Sequence, residues 1–212
     1  MIKKILIWAV LILGLAGATW GMAKLASAPS GKAATLANAV SDSDWIRGKR
    51  GAKVVLVEYS DFQCPACAFY APIVNSIMEE FGDKIAFVYR HFPLPQHKQA
   101  ELAARAAEAA GKQGKFWEMA DLIFVNQKDW AEKSNARETL VSYAQLLNLD
   151  MNRFGTELDS AAVKKEIESD YLSGAAIIDY TPTFFLNGER IQNPQSYDAF
   201  RELIIQKLNQ NP

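Results

Sequence analysis

A β-branched run, a helix that opens on proline and a second apolar run follow one another over residues 53–89, and this order limits the topology more than any other feature of the chain. KVVLVEY (53–59) reads as a strand, because branched side chains pack well on a pleated surface. SDFQ (60–63) is a short polar loop. Pro65–Phe81 reads as a helix, with proline at the first position, where its missing N–H costs nothing, and Gly82 at the stop. IAFVY (85–89) is the next strand. A strand, helix and strand at this spacing form a βαβ unit, with parallel strands and a right-handed crossover.

Residues 97–179 then read as a helical insertion. An alanine-rich stretch over 98–110 ends at Gly111, and Phe116, Met119 and Ile123 recur at helical spacing within 115–126. Asn135 with Glu138 has the form of a capping box before Leu140, Tyr143, Ala144 and Leu147. A further helix is expected over 159–172, stopping near Gly174. Thr183–Leu186, the pair Asn187-Gly188 and residues 189–191 form a hairpin signature, because Asn-Gly supplies the positive φ angles of a type I′ turn. Residues 197–208 close the chain as an amphipathic helix through Phe200, Leu203, Ile204 and Leu208.

The chemistry concentrates at Cys64-Pro65-Ala66-Cys67, which holds the chain's 2 cysteines. So few exclude a disulfide-rich scaffold and a four-cysteine zinc site. With Cys64 at the N-cap, the N–H groups of Ala66 and Cys67 and the positive helix end favour its thiolate. Cys67 lies nearly a turn further on and is expected to be the sheltered partner of an exposed, attackable sulfur, an asymmetry suited to thiol–disulfide exchange. An inert disulfide is an alternative, although so small a loop constrains the unfolded chain little. A metal site is another, but only His91 and His97 could join the pair, and the 23 residues between Cys67 and His91 exceed the roughly 12–15 of common zinc fingers. Both histidines read as structural or surface residues.

The run VEYSDFQCPAC resembles the DsbA-like branch of the thioredoxin superfamily, a group of extracytoplasmic thiol–disulfide oxidoreductases. The likeness covers about 44–209 and includes the helical insertion with GKFWEMADLIF (114–124), the Thr181-Pro182 pair and the last hairpin and helix. It implies an α/β thioredoxin fold with an inserted helical domain. It implies that Cys64 and Cys67 are catalytic and that Pro65 and Ala66 form the helix start around the thiolate. Pro182 is expected to be cis and to face the dithiol, with Thr181 offering backbone groups to a client peptide. Glu58 would be a buried acid, its ionisation disfavoured by desolvation, able to pass a proton to or from Cys67. An ordinary edge-strand or salt-bridged glutamate is the alternative. Phe62 and Tyr180 either border the client surface or pack in the core.

The resemblance further implies reduced client proteins and a membrane re-oxidising partner, with no metal and no organic cofactor, since the two thiols carry the electrons. Isomerase or reductase activity, a copper-delivery module using the same pair and a peptide-binding module with a vestigial pair are the rival functions. A net charge of −1 and the lack of any phosphate-cradling glycine loop give no reason to expect nucleic acid or nucleotide.

Residues 5–23 carry no charge over nineteen positions, about 28 Å as a helix, and follow Lys3 and Lys4. They read as a signal anchor or signal peptide that leaves the N-terminus inside and the remainder extracytoplasmic. Residues 24–43 read as a tether, with Trp45 and Ile46 already packing on the domain.

Between its cysteines this chain has Pro-Ala, where the strongly oxidising members have Pro-His. Ala66 offers only its backbone N–H to the thiolate. Ala66→His is therefore expected to raise the reduction potential, measured by equilibration in glutathione buffers; an unchanged or lower potential would contradict the argument.

Overall fold

The computed structural model describes residues 35–210. Strands β1 (Trp45–Gly48), β2 (Val54–Ser60), β3 (Ile85–His91), β4 (Thr183–Leu186) and β5 (Glu189–Arg190) form one sheet in the order β1-β3-β2-β4-β5. β2 and β3 run parallel on either side of α1 (Pro65–Phe81), as the βαβ reading requires. β2 is the central strand, and its residues are buried apart from a half-buried Val55, as expected of a strand covered on both faces. β3 runs two residues beyond the expected stretch.

Between β3 and β4 the chain makes α2 (Ala100–Gly111), α3 (Phe116–Val125), α4 (Gln127–Trp130), α5 (Ala136–Leu146), α6 (Met151–Leu158) and α7 (Ala161–Gly174). α2 is the hub, packed against α3, α5, α6 and α7. Its Ala103, Ala106, Ala107, Ala109 and Ala110 are all completely buried. Side chains this small let several helices approach one axis and lose no rotamer entropy in doing so. The last helix, α8 (Tyr197–Gln210), lies against α1 and buries Phe200 and Ile204.

Three details differ from expectation. Asn135 precedes α5 but its side chain makes no capping bond, so the capping box does not form. The helix expected over 159–172 is α7, and a separate helix, α6, stands before it. Each has its own polar cap: Asp150 accepts from the amides of Asn152 and Arg153, and Ser160 from that of Val163. The stretch expected as a tether is pinned from residue 35 onward. Thr35 bridges Glu189, and the Leu36 amide donates to the Gly188 carbonyl at 2.8 Å. The buried Arg90 guanidinium donates to the carbonyls of Asn38 and Ala39, the Asp44 carboxylate and the Tyr59 hydroxyl. Trp45 stacks on Phe116 with centroids 4.4 Å apart.

The hairpin matches its reading, with Asn187 and Gly188 at φ 51° and 83°. The expected membrane segment at 5–23 lies outside the described residues, among which no helix is long and apolar enough to cross a membrane.

Arg90 and Asp44 keep only 4% and 5% of their side-chain surface exposed. Arg90→Met would leave that carboxylate buried without its partner, a loss of about 3–5 kcal/mol. Denaturant unfolding is expected to show that loss, with faster native-state proteolysis at residues 35–44.

Candidate active site

The sheet register builds the site. β2 lies antiparallel to β4 with Tyr59 opposite Thr183, so Pro182 emerges beside the end of β2. Cys64 follows that same end four residues after Ser60. The two segments meet where the Cys64 Sγ lies 3.4 Å from the Thr181 carbonyl oxygen, in hydrogen-bonding contact. The Thr181–Pro182 peptide is cis. Asn193, on the segment after β5, donates to the Pro182 carbonyl at 2.8 Å and holds the loop from behind.

Cys64 caps α1 in an extended conformation (φ −70°, ψ 122°), with Pro65 next in line. The amides of Ala66 and Cys67 lie near enough to favour the thiolate, although neither closes a capping bond onto the sulfur. Both cysteines are thiols. Cys64 is 7% exposed and Cys67 not at all, so the contrast is between a sulfur at the surface floor and one fully covered, rather than between an open and a sheltered one.

Their pKa values part sharply. Cys64 falls to about 5, chiefly because the Cys67 thiol donates to it; Thr181 and the two amides help, and burial opposes. Cys67 is pushed well up, first by burial, then by its own hydrogen bond to Cys64 and by the negative charges of Glu58 and Cys64. Only the Asp61 amide, 3.4 Å from its sulfur, works the other way.

Glu58 sits on the central strand, so the edge-strand alternative is gone. It is 4% exposed, and its Oε1 accepts from the Ser60 hydroxyl at 2.7 Å. Burial raises its pKa to about 7; Ser60 opposes this, and the Cys64 charge adds a little. A small cavity of about 20 Å³, room for roughly one water, borders Glu58, Tyr89, Asn75 and Asp121.

Phe62 and Tyr180 separate. Phe62 is buried and stacks on Tyr89 at 5.1 Å, a core residue. Tyr180 is 44% exposed beneath the Arg190 guanidinium, and Phe69 on α1 is 57% exposed, so these apolar rings are open on the segments that carry the site. His91 is buried against Glu108 at 2.9 Å, and His97 touches Asp61 at 2.6 Å, both structural contacts. Among the described residues, no group of three or more His, Cys, Asp or Glu is arranged to hold a metal ion.

Sequence reasoning missed Asp61, Gln63 and Gln127. Asp61 accepts from the amides of Gln63 and Leu94, and Gln63 bonds across to Gln99, Ala131 and Glu132. The polar run between strand and helix was a signal for the first two. Gln127, inside the insertion, had none.

This arrangement of fold and dithiol defines a thioredoxin-family protein. Residues 40–206 match the family described as Thioredoxin, and the chain belongs to it. Within it, the chain is a DsbA-like member of the thioredoxin superfamily. Oxidised BdbD from Bacillus subtilis superposes with a TM-score of 0.73 at 26% identity, covering 84% of this chain and 100% of that one. The alpha-DsbA1 of Wolbachia pipientis gives 0.72 at 20% identity over 81% of this chain and 94% of its own, a likeness of fold. Among curated sequences, a Na(+)/H(+) antiporter NhaA of Herminiimonas arsenicoxydans is 43% identical over 157 residues, 74% of this chain but 24% of that protein. NhaA 1 of Salinispora arenicola is 40% identical over 161 residues, 74% of this chain and again 24% of that protein. The chain therefore spans about a quarter of the length of these curated relatives.

The raised Glu58 gives a sign that can be measured. Its neutral form is the one the fold accepts, so its contribution to stability is full below pH 4.5 and is lost as pH rises through about 7. Glu58→Gln is expected to remove that dependence. Relative to the native chain it gains stability from pH 4 to pH 8, by up to about 3 kcal/mol, read by denaturant unfolding at each pH.

Proposed function

We propose that this protein is an extracytoplasmic thiol–disulfide oxidoreductase that introduces disulfides into client proteins. The observation that carries the reading is the pairing of a low-pKa Cys64 with a fully buried, high-pKa Cys67, set against the Thr181–Pro182 loop.

In the oxidised enzyme a client thiolate attacks Cys64 Sγ, and the Cys64–Cys67 bond breaks. Cys67 leaves as a thiolate and takes a proton, for which the buried Glu58 carboxyl, whose charge acts on Cys67, is a source. The client's second thiolate then attacks the client sulfur of the mixed disulfide and expels Cys64. A thiol of low pKa is a good leaving group, which makes this step fast. Two electrons have passed from client to enzyme. Re-oxidation returns them to a membrane partner that accepts electrons from the dithiol.

Client peptides dock by backbone contact along the Thr181–Pro182 segment, as an added strand does, with Tyr180 and Phe69 offering apolar contact. No organic cofactor or metal takes part. The uncharged stretch at residues 5–23 holds the domain at the outer face of the cytoplasmic membrane. The curated relatives are named for Na(+)/H(+) antiport, and this chain matches about a quarter of their length.

The test is the reduction potential in glutathione buffers together with oxidation of a reduced client. A value between about −120 and −180 mV supports a net oxidant or isomerase, and one near −270 mV a reductant, which would overturn the direction proposed here. Cys64→Ala is expected to abolish exchange, and Cys67→Ala to accumulate mixed disulfides on non-reducing gels. Full activity in Cys64→Ala would refute the mechanism.

A further inference from the structure

The loop before the dithiol is laced to the helical insertion by side-chain amides. Gln63 donates to the Ala131 carbonyl at 2.7 Å and to Glu132 at 2.9 Å, which anchors the loop's own side chain. Gln127 works the other way. Its Nε2 reaches out of α4 and donates to the carbonyls of Phe62 at 2.8 Å and Cys64 at 3.0 Å. The Cys64 carbonyl also accepts the Ala68 amide at 3.1 Å, the first hydrogen bond of α1. Gln127 thus grips the peptide that joins the reactive cysteine to its helix. Its base is firm, because α4 ends on the fully buried Trp130, whose indole N–H donates to the Ile123 carbonyl at 2.9 Å.

The geometry points to Gln127 as a positioning residue for the dithiol: its carboxamide, supplied by the insertion, fixes the Cys64 peptide so that Sγ stays at the start of α1 and against Thr181. The inference rests on the redox reading of the cysteine pair. The ψ angle of Cys64 sets both where its carbonyl points and where its side chain stands relative to the amides of Ala66 and Cys67. With the clamp released, the peptide turns, the thiolate loses those amides, and the reduced enzyme loses the stabilisation that makes its disulfide oxidising. The helical insertion, far along the sequence from the dithiol, then takes part in setting its redox poise.

The test uses the full chain with Gln127→Met, which keeps the stem and removes the donor, and Gln127→Glu, which removes the donor and adds a negative charge. Thiolate absorbance against pH is expected to show the Cys64 midpoint rise by about one unit in Gln127→Met and further in Gln127→Glu. The equilibrium constant with glutathione is expected to fall about tenfold in Gln127→Met, about 30 mV in potential. Near-ultraviolet circular dichroism and melting report whether each variant keeps its fold. Variants that fold, melt earlier and keep the native midpoint and equilibrium constant would make Gln127 a merely structural contact and overturn the inference. If the unaltered chain forms no reversible couple with glutathione, the redox reading itself fails instead.

Discussion

The pairing of β2 with β4 is the constraint from which the site follows. Segments 117 residues apart in sequence, Cys64 and Thr181, leave that pair at the same end because Tyr59 stands opposite Thr183. A slip of one residue would turn every side chain of β2 to the other face. β2 is buried on both faces and paired on both edges, to β3 and to β4, so such a slip has nowhere to go. The contact between the Cys64 sulfur and the Thr181 carbonyl inherits its position from this register.

Within that frame, burial divides two chemically identical thiols. Cys67 is wrapped in protein, where an anion is costly, and two neighbouring negative charges raise the cost further. Cys64, at the start of α1, has donors on several sides, and the Cys67 thiol is the strongest of them. The same burial keeps Glu58, on the central strand, protonated to near neutrality. Burial thus acts on both groups in the same sense, raising the pKa of the Glu58 carboxyl and of the Cys67 thiol.

The helical insertion does more than cover the sheet. Its alanine hub packs α3, α5, α6 and α7 around α2, and the insertion presents Gln127 and the Ala131 carbonyl to the loop before α1. Asp61 completes the tie on the other side through Leu94 and His97. Arg90 does a similar service for the segment before β1, gathering Asn38, Ala39 and Asp44 onto the buried end of β3.

Local chemistry determined much by itself. Pro65 and Gly82 bound α1, Asn187-Gly188 makes the hairpin, the two β-branched runs around one helix demand the parallel pair, and the spacing of Cys64 and Cys67 sets them about one helical turn apart. Each depends on neighbours within a few residues, so each is written in the chain. The strand β1 was not legible, because four residues at a sheet edge carry no period of their own. The Asn135 cap misled, since the same residues can cap or not according to the packing around them. That Glu58 is central rather than at an edge, that Phe62 is core while Tyr180 is open, and that Gln127 grips the Cys64 peptide were decided by the tertiary structure alone. These properties come from desolvation and from contacts between residues tens of positions apart, and both exist only once the sheet register has brought those residues together.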